Sequence, residues 1–192
     1  MNSTVNHLVD MHDSTKLLFH EHAVITEAID IALHASSLID GDARNYETTV
    51  RNLIQFFRQY ADQYHHHKEE IILFPEMEKK NTLLGDGILR EMFDQHTEFR
   101  DMIHSIESFL DAGEFKDAQQ QLEAYCRALL DHIAIENDEV FQIAETIFDD
   151  KEMEQIYFRF VDCDRELGMD SKTALRRKLD ELSMRLSHAG NQ

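Results

Sequence analysis

The chain is predicted to be all-α, an up-down-up-down antiparallel four-helix bundle with a C-terminal helical extension, and three observations predict this. Apolar residues recur at spacings of three and four through four long stretches. The breaks between the stretches are short, which makes sequential helices antiparallel neighbours. One Pro and six Gly in 192 residues, with no long polar low-complexity tract, leave few places for extended loops. A chain of this length suits one domain with a sizeable core. The expected organisation is an N-terminal segment over 1–11, the bundle over 12–149 and the helical extension over 150–192.

The first helix is expected from about His12 to Ile39, with Leu18, His22, Ile25, Ile29 and Leu33 on its stripe and Asp40-Gly41 closing it. The second starts at Asp42 or Ala43 and carries Ile54, Phe57, Ala61, His65, Glu69 and Ile72, until Pro75 kinks or ends it. The third lies between Gly85-Asp86-Gly87 and Gly113, with Leu89, Met92, His96, Phe99, Ile103, Ile106 and Leu110 on one face. The fourth has the cleanest stripe: Phe115, Ala118, Leu122, Tyr125, Leu129, His132, Glu136, Val140, Ile143 and Ile147. Beyond Asp149-Asp150 the pattern resumes through Met153, Ile156, Tyr157 and Phe160, breaks near Gly168, and ends in a charged helix from Ser171 to Leu186. The extension is expected to pack on the bundle or to form a homodimer surface.

A formal net charge of −19 argues against nucleic acid and anionic membrane surfaces, since phosphate binding is driven by Lys and Arg. No apolar run approaches the roughly 18 residues of a spanning helix, and no charged, apolar leader opens the chain. A cytoplasmic protein is the default expectation. Cys126 and Cys163 are far apart and form neither a zinc knuckle nor a disulfide framework; Cys126 reads as a small core residue. No glycine-rich nucleotide loop or nucleophilic triad is visible.

The polar members of the apolar stripes carry the chemistry. His65/Glu69 and His132/Glu136 are each a His and a Glu four residues apart, so each pair shares one helix face. His22 and His96 occupy the stripes of the other two helices. A single His on an apolar face is ordinarily a hydrogen-bonded core residue. One on each of four stripes, two of them followed by Glu at i+4, points to a metal site in the bundle core, because an ion compensates groups that are otherwise costly to bury. In His65-His66-His67-Lys68-Glu69-Glu70, the pair His65 and Glu69 extends the apolar stripe. His66 and Glu70 follow Gln55, Gln59, Asp62 and Gln63, a solvated face, and read as a surface ion pair. His7, His12, His20, His34, His104 and His188 read as surface or incidental.

Four imidazoles and two carboxylates suit two six-coordinate ions better than one tetrahedral zinc. With both Glu bridging, and an oxo or hydroxo bridge, each ion keeps one position for a small ligand. The mixed donor set favours two non-haem iron ions, although zinc, copper, manganese or a mixed pair also suit such ligands.

These residues resemble the hemerythrin-like family, the HHE cation-binding domain. The resemblance rests on Glu21-His22, on HHHKEEIILFP from His65 to Pro75, on His96 in QHTEF, and on HIAIENDEVF from His132 to Phe141, and covers roughly residues 10 to 150. It implies the same antiparallel bundle and a non-haem di-iron centre that reacts with dioxygen or nitric oxide. Oxygen-carrying members have two histidines four apart in the third helix, whereas Met92 and Arg100 flank His96 here, which argues against reversible oxygen carriage. A set of four histidines and two glutamates is closer to the iron–sulfur repair and nitric-oxide-responsive members, whose short cysteine-bearing N-terminal domain has no counterpart in residues 1–11.

The expected function is therefore to bind or react with a small oxidant (dioxygen, nitric oxide or peroxide) for sensing or detoxification. His22, His65, His96 and His132 are the expected terminal ligands, with Glu69 and Glu136 bridging. Two other functions share these ligands: an iron donor or store, and an interaction module whose metal state controls the C-terminal extension. A ferritin-like oxidase ranks lower, since those bundles place Glu before His at a spacing of three.

Overall fold

A computed structural model describes residues 11–189, with side chains to Leu186; the N-terminal segment with His7, and the side chain of His188, lie outside the described residues. No strand occurs among the described residues. Helix α1 (Asp13–His34) tightens into a 3₁₀ turn, Ala35–Leu38. Helix α2 (43–80) starts at Asp42, whose carboxylate accepts from the Asn45 amide. It is α-helical over Ala43–Phe56, π-helical over Phe57–His66 and Glu69–Leu73, and α-helical again over Phe74–Lys80. One short turn, Thr82–Asp86, leads into α3 (Ile88–Asp111). Helix α4 (115–147) is π-helical over Glu136–Val140. Helix α5 (Asp150–Leu167) opens with a capping box between Asp149 and Glu152, and α6 (Met169–Ala189) follows at once.

Cross-helix contacts give the topology. Between α2 and α3, Arg51 meets Asp111, Arg58 meets Glu107, Arg100 meets Asp62 and His96 meets Glu70, so one helix ascends as the other descends. Between α1 and α4, Thr15 meets Glu145, His22 meets Asn137 and the Ala32 carbonyl accepts from Gln119, again antiparallel. Phe99 on Tyr125 and His96 against His132 make α3 and α4 antiparallel as well. The antiparallel bundle expected from short connections is the one the chain forms.

Pro75 does not end its helix. The π-helical turn Glu69–Leu73 comes just before it, and the helix runs on to Lys80. A proline has no N–H and clashes with the carbonyl four residues earlier, and a widened turn accommodates both effects.

The apolar core is divided in two. One part holds Ile25, Leu53, Phe57, Phe99, Ile103, Tyr125 and Leu129, and Leu175, Leu179 and Leu182 of α6 cover it. The other holds Leu18, Leu73, Phe74, Met92, Val140 and Phe141, joined by Met153, Ile156 and Phe160 of α5. Met153, Ile156 and Phe160 of the C-terminal stripe are thus buried within the chain itself, with Tyr157 half-buried and Phe158, Leu167 and Met169 exposed. The α5–α6 corner turns at Gly168, whose φ of +100° suits a residue without Cβ, and the Tyr64 hydroxyl bonds to the Gly168 carbonyl at 2.7 Å. Between the two cores lies a polar layer.

Candidate metal centre

The polar layer is assembled from all four bundle helices. His22 comes from α1, His65, His66 and Glu69 from α2, His96 from α3, and His132 and Glu136 from α4; every one is at most 2% exposed. They form two groups able to hold an ion, His22, His65, Glu69 and Glu136 in one, and His66, His96 and His132 in the other. All six sequence-predicted residues therefore converge, and His66 joins them.

His66 corrects the sequence reading: it is 2% exposed and stacks on His96 with ring centroids 3.9 Å apart. Its expected partner Glu70 instead accepts from His96 Nδ1 at 2.9 Å and from Arg100 at 2.7 Å. The reason is the π-helical stretch Phe57–His66. A face extrapolated at about 100° per residue assumes i→i+4 bonding, whereas i→i+5 turns hold more residues, so each residue advances less around the axis. Tyr64, His65 and His66 then all turn inward, as do Lys68 and Glu69. The second π-helical turn begins at Glu69 and the third at Glu136, so both carboxylates of the layer sit where a helix widens.

The histidines are oriented by a closed ring of hydrogen bonds. Glu21 on α1 accepts from His65 Nδ1 on α2 (3.0 Å), and Glu70 on α2 accepts from His96 Nδ1 on α3 (2.9 Å). Gln95 on α3 accepts from His132 Nδ1 on α4 (2.7 Å), and Asn137 on α4 accepts from His22 Nδ1 on α1 (2.8 Å). Each acceptor is the sequence neighbour of one layer residue and orients a histidine on the next helix. With an oxygen facing Nδ1, the proton of each neutral imidazole sits there and Nε2 carries a bare lone pair.

Those lone pairs converge. His65 Nε2 lies 2.8 Å from His22 Nε2, and His96 Nε2 lies 3.0 Å from His132 Nε2. Burial and the neighbouring His22 push the His65 imidazole down to about 3. Burial, then His96, lowers His66 well below its ordinary value, and burial also lowers His96. Protons are therefore poor occupants of the space between these nitrogens.

The carboxylates span the two groups. Glu69 has Oε1 3.5 Å from His65 Nε2 and Oε2 3.8 Å from His96 Nε2, while Glu136 Oε2 lies 3.1 Å from His22 Nε2 and 3.2 Å from His132 Nε2. All four of their oxygens are buried without a hydrogen-bond partner, as is His66 Nε2. Burial and the nearby Glu136 push Glu69 well above the carboxylate range. Burial also raises Glu136, but His132 and His22 outweigh it and hold the group low. Buried polar atoms are nearly always satisfied, so five orphans in one layer mark a place for cations.

A cavity of about 300 Å³ approaches the layer between α2 and α3, lined by Phe57, Asp62, His66, His96, Phe99 and Arg100 among others. At the α3 positions one turn either side of His96, Met92 is wholly buried in the apolar core and Arg100 is paired with Asp62 and Glu70. Of the histidines expected at the surface, His20, His34 and His104 are exposed; His12 is half-buried, with Nδ1 2.6 Å from Glu145. The four orienting acceptors were not predicted as such. Their only sequence signal is adjacency to a stripe residue, which does not show the helix they serve. Among the described residues no helix is long and apolar enough to cross a membrane.

Comparison with protein families matches residues 13–144 to the hemerythrin HHE cation binding domain. Comparison with curated proteins and with solved structures gave no match.

Proposed function

For a chain that belongs to the hemerythrin HHE cation-binding domain family, we propose that the polar layer holds two non-haem iron ions and that the protein binds or reacts with a small oxidant, dioxygen, nitric oxide or peroxide, for sensing or detoxification. One observation carries the reading. Glu69 and Glu136 are buried with every oxygen unpartnered, among the Nε2 atoms of His22, His65, His96 and His132, whose Nδ1 atoms each face an oxygen acceptor on the far side of the ring. His22, His65, Glu69 and Glu136 would hold one ion. His96 and His132, with His66 added to the predicted set, would hold the other, and the carboxylate oxygens of Glu69 reach toward both. When bound, such ions neutralise the two carboxylates and supply one-electron chemistry toward a small oxidant.

The chain's own residues set the conditions. The ring of Glu21, Glu70, Gln95 and Asn137 keeps each Nε2 free and aimed inward. The two apolar cores above and below the layer exclude bulk water. The cavity beside His66 and His96 supports access by a small molecule from the α2–α3 face, past Arg100 and Asp62. Met92 and Arg100 supply no imidazole from α3, so the added one comes from α2.

The test is the metal content of anaerobically purified protein, with an optical spectrum before and after air, for wild type and His132→Ala. About two irons per chain, with oxygen-dependent near-ultraviolet bands, both lost in the variant, are expected. Iron that binds but leaves the spectrum unchanged in air would remove the oxidant chemistry and favour a donor or store. A stable protein indifferent to iron would make the layer a polar network.

A further inference from the structure

Next to the polar layer lies a second concentration of charge, of which the proposed function uses Glu21 alone. Lys68 of α2 is wholly buried, and its Nζ donates to Glu21 Oε1 at 2.5 Å and to Asp164 Oδ1 at 2.8 Å. Lys172 of α6 donates to the same two carboxylates, at Glu21 Oε1 and Asp164 Oδ2, and lies 5.7 and 5.6 Å over the rings of Tyr60 and Tyr64. Two cations and two anions, drawn from α1, α2, α5 and α6, close into a neutral square. The remaining oxygen of Glu21 accepts from His65 Nδ1.

Of the four acceptors that orient the histidines, Glu21 is the one gripped by the C-terminal helices. Glu70 is held by Arg100 within the bundle, and Gln95 donates to Glu91 of its own helix. The two ion groups therefore differ in what supports them: the orienting contact of His65 rests on Lys68 of the bundle together with Asp164 and Lys172 of α5 and α6, whereas the acceptors of His96 and His132 are held by bundle residues.

We propose that Asp164 and Lys172 are positioning residues of the metal centre, which couple docking of the C-terminal helices to retention of the ion on the His22/His65 side. The inference rests on the metal-centre reading above. Asp164 holds Lys68 and Lys172, the two ammonium groups hold Glu21, Glu21 holds the His65 ring, and the ring presents Nε2. Linkage makes the coupling reciprocal: an ion that needs His65 in place favours the docked C-terminal helices, and whatever lifts α6 loosens that ion.

The experiment uses the full chain loaded anaerobically with ferrous iron, as wild type, Lys172→Gln and Arg176→Gln. Arg176 reaches Glu27 of α1 at 2.6 Å in a solvent-exposed ion pair of the kind that contributes little to stability, and it does not touch Glu21, so its variant removes a charge from the same helix while leaving both its docking and the square intact. Iron release to a chromogenic chelator is followed by absorbance, and hydrogen exchange in residues 169–186 is compared with and without iron in the wild type. Lys172→Gln is expected to release one of two irons faster, by up to about tenfold, because it acts through Glu21 and the low end of the effect for direct partners of metal ligands is its ceiling, with the second iron unchanged. Arg176→Gln should release iron as wild type does, and iron should slow exchange in α6. Equal release from all three proteins, or exchange in α6 that ignores iron, overturns the coupling while leaving the metal centre intact. Wild type that takes up no iron overturns the metal-centre reading and the coupling together. If Lys172→Gln loses helicity, Asp164→Asn and the wild-type exchange measurement carry the same test.

Discussion

Replacing His66 by Leu should move two measurements in opposite directions. In the metal-free protein His66 Nε2 is buried without a hydrogen-bond partner, and Nδ1 lies 3.8 Å from Asp62, too far for a hydrogen bond. An unsatisfied buried polar group costs roughly 1–3 kcal/mol. Against this, the variant loses the stack on His96, with centroids 3.9 Å apart and planes at 14°, a contact of the kind that contributes about 0.5–1.5 kcal/mol. The difference favours the variant by about 1 kcal/mol, or a rise in Tm of about 2–4 °C for a chain of this size. Iron affinity should fall at least about tenfold, since even outer partners of metal ligands contribute that much. The assay is thermal unfolding by circular dichroism, on chelator-treated and iron-loaded samples, with iron binding titrated anaerobically. A residue on a solvated face would change neither quantity. A residue that only fills the core would lower the Tm of the metal-free protein and leave iron affinity unchanged, and either result would refute the argument.

Three further outcomes follow from the same contacts. Gln95→Leu removes the acceptor that orients His132 at 2.7 Å, so iron affinity should drop about 10- to 100-fold with helicity intact, measured by chelator competition; an unchanged affinity would show that the ring is not needed to orient the imidazoles. Lys68→Met leaves Glu21 and Asp164 sharing Lys172 alone in a buried setting, and urea unfolding should report a loss of about 3–5 kcal/mol. A loss under about 1 kcal/mol would mean that water reaches the square. The hydrogen bond to Glu145 raises His12 above its ordinary value of 6.5 despite the opposing effect of burial. Its contribution is therefore fully present below pH 6.5 and is lost as pH rises through the raised folded value. The stability gap between wild type and His12→Asn should accordingly shrink with rising pH above 6.5, and a gap that grows would reverse the assignment.

The helices and most members of the polar layer are legible in the apolar periodicity alone. His22, His65, Glu69, His96, His132 and Glu136 were legible because each sits in an apolar stripe with three- and four-residue spacing, and a stripe is a property of one helix, readable without its neighbours. The remaining members depend on helix geometry and packing. His66 turned inward because α2 widens into π-helical turns between Phe57 and His66, which rotates the face away from the extrapolated one. Glu21, Glu70, Gln95 and Asn137 became orienting groups because each reaches the next helix. Whether it does so depends on the axial register and relative rotation of two helices, quantities that no single stripe encodes. Lys68, an ordinary surface residue by composition, is buried, and Lys172 half-buried beside it, because α5 and α6 fold back over α1 and α2 and bring Asp164 to face the same lysines as Glu21. Periodicity reports which side of a helix is turned away from water, whereas packing in three dimensions decides what that side meets.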